Sequence, residues 1–510
     1  MTRYGPTTTI RPMKAEIELK LTLPPESLPA LRRHPMVVGA ERAARTATLL
    51  NTYFDTPDLS LSEKRIALRT RKQGQRWLQT VKAQATSSGG LSARPEWESP
   101  YADRFDFSAI DEPSVKRLLD AVGDQLIPLF TTDFKRETRR LTPATGVSVL
   151  MMIDHGSISA RGQQTPLCEV ELELENGAPA DLYDLAIALA RDLPLLPEDV
   201  SKAERGLQLF LDRPAQAMRA QDSPVCHSDS PLGAFRKVAL DGLRQWQANA
   251  VGAQSSDDPE WVHQMRVALR RTRSAIKLFA HALPEDFVAR WRAELQDAAS
   301  SLGEARDIDV LHGELLQPIL DDPASTPEIE ALSALVLQKR EAARTHVLDW
   351  LRHQRQGERM LRFAAELAAL QGNALDASAD LATFASLRLG HLRKRCRNRW
   401  READAGDVEA LHMLRITLKA LRYGIEFFAP LLPAKLLKPY RRELAAAQEA
   451  LGYLNDVAVG RSRLGEWTRD DALLREAVAF VAGWHAPRIK SVRESILRDT
   501  RKLLWGRRLW

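Results

Sequence analysis

The chain has 510 residues, 44% hydrophobic and 27% charged, which suits a folded protein too long for a single ordinary core. No stretch reaches the apolar length of a membrane span, residues 1–20 lack the apolar core of a secretory signal, and three scattered cysteines (Cys168, Cys226, Cys396) make no disulfide framework or metal-ligand spacing, so the expected setting is soluble and cytoplasmic. Net charge is +6 but divides into about −2 over residues 1–230 and about +8 over 231–510, which points to an anionic partner for the second part.

From residue 13 to about 210 the sequence alternates apolar and polar positions in short runs broken by Gly, Pro, Asp and Ser. The pattern predicts strands over Ala15–Leu23, Thr48–Phe54, Ala67–Arg71, Trp77–Lys82, Arg94–Ser99, Asp133–Leu141, Ser148–Asp154 and Pro166–Glu175. It predicts helices near 112–123 and 180–192. An antiparallel barrel or sandwich follows.

In the first strand Glu16, Glu18 and Lys20 share one face, and Ile17, Leu19 and Leu21 the other. Late in the region Glu169, Glu171, Glu173 and Glu175 alternate with Val170, Leu172 and Leu174. Basic residues sit on other segments: Arg69 and Arg71, Lys82, Arg136 and Arg139, then Lys202 and Arg205. Acid-only stripes repel themselves and call for a cation. Curling the sheet so that these faces point inward gives a polar cavity in which carboxylates hold a hard ion such as Mg²⁺ or Mn²⁺ and the bases grip phosphate oxygens. That combination suits phosphoryl transfer.

Residues 213–230 lack periodicity and read as a linker. From Pro231 on, apolar spacing of three and four predicts an all-α region. A shift of 149 residues superposes Phe235 on Phe384, His263 on His412, Arg266 on Arg415, Arg273 on Arg422 and Asp307 on Asp456, which predicts two homologous bundles, about 231–370 and 380–510. Within the first, His263, Arg266, Arg270, Arg273 and Lys277 make one basic stripe along a helix. His412, Arg415, Lys419 and Arg422 repeat it, with Glu426 in the last place. Arg393 and its neighbours add charge. Like charges at this spacing destabilise a helix slightly, and a polyanion laid along them relieves it. No aromatic stacking series or recognition helix accompanies the stripes, so no specific nucleic acid is expected. Asp307 and Asp456 are expected to pair with stripe arginines, and the closing Arg501–Trp510 to be a docked helix end or a frayed tail.

Residues 13–210 resemble the CYTH superfamily, the triphosphate tunnel metalloenzymes. The resemblance rests on an ordered set: ExExK at Glu16–Lys20, YFDT at Tyr53–Thr56, LRTR at Leu68–Arg71, the Lys82 strand, CEVELELE at Cys168–Glu175 and SKAERG at Ser201–Gly206. It implies an eight-stranded antiparallel barrel around a tunnel, over residues 12–212. Glu169 and Glu171 would bind a metal bridging the triphosphate. Glu16 and Glu18 would bind a second or activate the attacking water, with Lys20 beside that water or the terminal phosphate. Arg69, Arg71, Lys82, Arg136, Lys202 and Arg205 would clamp phosphates. Glu173, Arg139, Arg94, Glu96 and Asp154 carry a weaker expectation. The family includes inorganic triphosphatases, thiamine triphosphatases and adenylyl cyclases, and a non-catalytic polyphosphate binder is a further alternative.

Residues 231–510 resemble the CHAD domain, commonly fused to CYTH. The resemblance implies two four-helix bundles around a basic groove for inorganic polyphosphate, formed by His263, Arg266, Arg270, Arg273, Lys277, Arg393, His412, Arg415, Lys419 and Arg422. The combined expectation is hydrolysis of inorganic triphosphate to pyrophosphate and phosphate, in the cytoplasm or at polyphosphate granules.

Overall fold

The computed structural model describes residues 16–83, 86–323, 325–353, 355–371, 380–405 and 408–510. The chain divides into two compact units: residues 1–216 with 353–365, and residues 217–352 with 366–510. Ala15, expected in the first strand, lies outside the described residues.

In the first unit the alternating runs form twelve strands among the described residues: β1 (Glu16–Thr22), β2 (Glu41–Arg42), β3 (Ala47–Asp55), β4 (Ile66–Gln73), β5 (Arg76–Ala83), β6 (Thr86–Ser88), β7 (Leu91–Arg94), β8 (Glu96–Pro100), β9 (Ile127–Leu141), β10 (Ser148–Ala160), β11 (Gln163–Asn176) and β12 (Leu196–Pro197). They make one antiparallel sheet in the order β6-β7-β1-β11-β10-β9-β3-β4-β5-β8, with β12 on β1 and β2 on β9. Only Pro95 separates β7 from β8. Since β7 pairs with β1 and β8 with β5, the bend there nearly closes the sheet into a barrel. Counting β7–β8 as one bent strand, the wall has the expected eight long strands.

Alternation decides which side chains face out. Leu19, Leu21, Val170 and Leu172 are buried on the outer face, where helix Pro179–Ala190 packs across β1 and β11. Leu68, Val81 and Trp97, cross-strand neighbours in register, form a second outer cluster with Val115 and Leu119 of helix Pro113–Val122. The inner face is divided. At one end Leu49, Phe130, Phe134, Ile158 and Leu167 join helix Lys202–Phe210 in an apolar plug. Gly206 lets that helix approach, since a Cβ there would collide with the Phe130 ring. The rest of the interior is largely polar and charged.

The second unit is helical. Helices Pro231–Ala253, Glu260–Leu278 and Glu285–Ser301 are matched by Leu381–Asp404, Val408–Phe427 and Ala434–Trp467, with starts within one residue of the 149-residue offset. In the second set a ring of four closes: 381–404 packs on 408–427, then 434–467, then Ala472–Trp505, which returns to 381–404. Phe279 stacks on Phe384 at 5.5 Å and meets Phe428 at 5.3 Å, so the two sets share a core. The first part of this unit is irregular yet fastened. Met218 N donates to Asn249 Oδ1 at 3.0 Å, and Ser223 Oγ to the Phe427 carbonyl at 2.6 Å. Among the described residues, no helix is long and apolar enough to cross a membrane.

Candidate functional site

Register places the charges of the barrel. Across β1 and β11, Glu18 faces Glu173, Lys20 faces Glu171 and Thr22 faces Glu169. Across β11, β10 and β9, Glu169, Asp154 and Arg136 form one row. Residues paired this way share a sheet face, so acids and bases far apart in sequence meet inside the barrel.

Three carboxylates form the deepest group. Asp154, Glu169 and Glu171 each offer an oxygen within 4.8 Å of the others. Lys202 Nζ reaches all three, at 2.8 Å from Asp154 and 2.9 Å from Glu171. Arg136 donates to both oxygens of Asp154, at 2.7 and 2.6 Å, and to Glu171 at 2.6 Å. Burial opposes charge on Glu171, but Lys202 and Arg136 outweigh it and hold the carboxyl well below the usual range. Burial raises Glu169. Burial also works against the Lys202 ammonium, but Asp154 and then Glu169 and Glu171 outweigh it and raise its pKa. Glu169 Oε2 is buried without a hydrogen-bond partner, with Arg205 3.6 Å away. An orphaned carboxylate oxygen among three buried acids fits a hard divalent ion with oxygen ligands.

Glu16 and Glu18 have partners of their own. Lys82 Nζ lies 2.9 Å from Glu16 and 2.5 Å from Glu96. Burial, with the Glu96 hydrogen bond, pushes the Glu16 carboxyl up to about 8. Glu18 accepts from Arg94 at 2.7 Å and Ser92 at 3.1 Å. Lys20 donates to the Val200 carbonyl at 2.7 Å.

Two further cations, Arg69 and Arg71, stand on β4. Arg69 donates to the Tyr53 hydroxyl at 3.4 Å, and Arg71 Nε to Asn51 at 2.9 Å. The nearest carboxylates to these two guanidiniums, Glu96 and Glu98, are each 3.9 Å away. Burial, then Arg69 and Arg136, push Arg71 down to about 10. A buried cation so short of counter-charge favours an incoming anion. Arg205 donates to the Pro166 carbonyl at 2.7 Å. Arg139, one position out of phase with Arg136, pairs in register with Met151, which is buried on the outer face.

Asp154, Arg94, Glu96 and Asn51, which lie outside the quoted motifs, make contacts with the motif residues. Period-two phase was the signal for Asp154, because it follows Met152 and Leu150 on the inward face of β10. Nothing in the local sequence marks Asn51 or Thr132, whose hydrogen bond at 2.8 Å links two adjacent strands.

In the helical unit the stripes are partly engaged. Arg266 donates to the Ala299 carbonyl at 2.9 Å, Arg270 to the Tyr423 hydroxyl at 2.6 Å and Arg415 to Asn455 at 3.0 Å. Arg273 reaches Gln296, and Arg422 pairs with Glu426 at 2.7 Å. Burial, then Arg306, lowers His263 to about 4, and burial lowers Lys277 as well. His412 is exposed. A cleft of about 600 Å³ is lined by Arg266, Arg273, Gln296, Ser300, Asp307 and Arg463, among others. Asp307 pairs with Arg463 at 2.9 Å, not with a stripe arginine. Arg393 is buried and donates to the carbonyls of Leu504 and Gly506, at 2.8 and 2.5 Å, at the end of helix Ala472–Trp505. Leu509 is buried and the Arg393 guanidinium lies over the Trp510 ring, so the closing segment is a docked helix end.

Two family models match the chain. Residues 14–207 match the CYTH domain and residues 237–465 the CHAD domain. Domains of these kinds bind triphosphate- and polyphosphate-type ligands. An inorganic triphosphatase from Haemophilus influenzae is 30% identical over 200 residues, covering 39% of this chain and 55% of that protein, so the chain spans about half the length of this curated relative. Among solved structures, the CHAD domain from the plant Ricinus communis is 31% identical, with a TM-score of 0.49, over 58% of this chain and 98% of that one. A proposed adenylyl cyclase from Hippeastrum, described as revealing a dominant triphosphatase activity, is 19% identical, with a TM-score of 0.30, over 39% of this chain and 95% of that one. The chain is a CYTH domain followed by a CHAD domain.

Proposed function

We propose that the barrel hydrolyses inorganic triphosphate to pyrophosphate and phosphate with Mg²⁺ or Mn²⁺, and that the helical domain holds inorganic polyphosphate. The observation that carries the reading is a buried carboxylate trio in the same barrel as Arg71, a buried cation short of counter-charge. The similarity to an inorganic triphosphatase supports it.

Asp154, Glu169 and Glu171 would hold the divalent ion, with Glu16 and Glu18 beside it. A divalent ion in such a place neutralises phosphate charge and lowers the pKa of water. Arg69, Arg71, Lys82, Arg136, Lys202 and Arg205 take the phosphate oxygens and align the chain of phosphates for in-line displacement. Water oxygen attacks a terminal phosphorus, the bridging P–O bond breaks, and pyrophosphate leaves into a cationic surround that stabilises its charge. The water proton passes to a carboxylate, for which Glu16 in its ionised form is the candidate. Lys20 steadies the water or the terminal phosphate.

Phosphate release from inorganic triphosphate, ATP and thiamine triphosphate, measured with each metal, tests this. Inorganic triphosphate should have the highest kcat/KM, and Glu16→Ala/Glu18→Ala should abolish turnover. Unchanged turnover in the double variant removes the site. A preference for a nucleotide moves the barrel to another triphosphate chemistry. Metal binding without hydrolysis of any triphosphate makes it a binding protein.

A further inference from the structure

The segment Glu198–Lys202 touches three sides of the cavity within five residues. Glu198 N donates to the Lys20 carbonyl at 2.9 Å. The Val200 carbonyl accepts from Lys20 Nζ at 2.7 Å. Lys202 stands among the three deep carboxylates. Between them Asp199 reaches a hairpin that none of the motifs includes.

That hairpin is β6–β7. Gly89 and Gly90 both have positive φ, +69° and +80°, as a two-residue primed turn requires. The Asp199 carboxylate grips it at two points. Its Oδ1 accepts from Ser87 Oγ at 2.5 Å and from Gly90 N at 3.0 Å. The Gly90 carbonyl in turn accepts from Lys20 N at 2.9 Å, and a Cβ on Gly90 would press against the Lys20 carbonyl oxygen. Charge-assisted bonds from one carboxylate thus lock a turn that sits at the edge of the sheet.

The far arm of the hairpin carries chemistry. On β7, Ser92 and Arg94 stand opposite Glu18 and Glu16 of β1 in register, and both donate to Glu18. Past Arg94 the chain bends through Pro95 into β8, where Glu96 meets Lys82. Tilting the hairpin therefore shifts the donors that aim the Glu18 carboxylate.

We propose that Asp199 is a positioning residue for the barrel reaction: it fixes the β6–β7 hairpin, and through Ser92 and Arg94 the orientation of Glu18. It touches no proposed substrate or metal position itself. The inference rests on the triphosphatase reading for its kinetic consequence, but its structural step stands apart from that reading.

The test uses the full chain with Asp199→Ala and Asp199→Asn. Asparagine keeps a carbonyl oxygen for Ser87 and Gly90, and alanine keeps none. With inorganic triphosphate and Mn²⁺, Asp199→Ala should lower kcat about tenfold with KM little changed, a size typical of losing a group that orients a ligand. Asp199→Asn should recover most of that loss. Amide hydrogen exchange over residues 86–94 should rise in Asp199→Ala, with the remaining strands unchanged. Wild-type kcat and wild-type exchange in the alanine variant overturn the proposal. So does an equal kcat loss in both variants that merely follows a lower Tm. Should the wild-type protein hydrolyse no triphosphate, faster exchange at 86–94 together with weaker Mn²⁺ binding in Asp199→Ala still supports the positioning role, while the reaction assigned to the barrel falls.

Discussion

Two lysines show how differently the halves of this chain handle charge. Lys202 in the barrel is buried among Asp154, Glu169 and Glu171, and they raise its pKa. Lys419 in the helical unit has no ion pair among the described residues. Burial, then Arg270 and Arg415, with Arg266 adding to them against Asp456, push it down to about 7. The difference follows from geometry. A closed barrel turns every second residue of each strand inward, so charges from distant strands must be balanced locally. A helix stripe gathers charges of one sign along one line, so a half-buried member such as Lys419 has little opposite charge beside it. The barrel site behaves as one interlocked network, and the helical stripe as a sum of separate contacts.

Removing Lys202 tests that contrast hardest. Lys202→Met leaves three buried carboxylates with one cation fewer, and breaking such a group typically costs about 3–5 kcal/mol. Urea unfolding should show a loss of that order without divalent ions. Adding Mn²⁺ should restore part of it, because a divalent ion replaces the missing charge. A variant as stable as the parent, and indifferent to Mn²⁺, would mean that the trio is already relieved in another way.

A smaller effect is expected where the barrel unit draws on a remote part of the sequence. Residues 353–365 belong to the first unit, and Gly357 there lies so close to the Leu195 carbonyl that a Cβ has no room. Glu358 meets Arg191 at 3.3 Å in the same place. Leu195 begins the stretch that leads through β12 to Asp199 and Lys202. Gly357→Ala should destabilise this unit by about 1–3 kcal/mol, the usual cost of forcing a methyl into a packed contact. Thermal unfolding followed by a probe in the barrel checks it, and an unchanged midpoint would show that the contact yields easily.

The sequence made the inward faces legible because alternation is a local property. Glu16–Lys20 and Glu169–Glu175 lie on the faces their phase requires, and the helical repeat emerges from a single offset. The partners were less legible. That Lys202 would meet Asp154, or Arg94 meet Glu18, depends on which strands become neighbours and in what register, and neither is written in any one segment. Arg393 reads from the sequence as one more positive charge, and only the docking of the chain end against it reveals its bonds to the Leu504 and Gly506 carbonyls. The role of residues 353–365 was out of reach for the same reason.

The subtlest consequence of the contrast lies in pH. The folded Lys419 pKa of about 7 is below the ordinary lysine value of about 10.4, so between these limits the unfolded chain binds more protons than the folded one. The contribution of this group to stability therefore rises with pH across that window and is smallest below 7. Binding runs the opposite way. A polyphosphate chain brought against Arg266, Arg270 and Arg415 raises the Lys419 pKa and so takes up a proton. Above pH 7 that proton must come from solvent, and affinity should weaken by up to about tenfold per pH unit for one coupled proton. Titrating the full chain with polyphosphate at pH 6, 7 and 8.5 at fixed ionic strength measures the slope, and Lys419→Arg, which keeps its charge, should flatten it. A duplex DNA titration beside it separates polyphosphate recognition from general attraction of polyanions, because equal affinity for both leaves only the charge of the stripe to explain binding. If the slope survives in Lys419→Arg, the coupled proton belongs to another group, and the contrast between the two lysines loses its functional meaning.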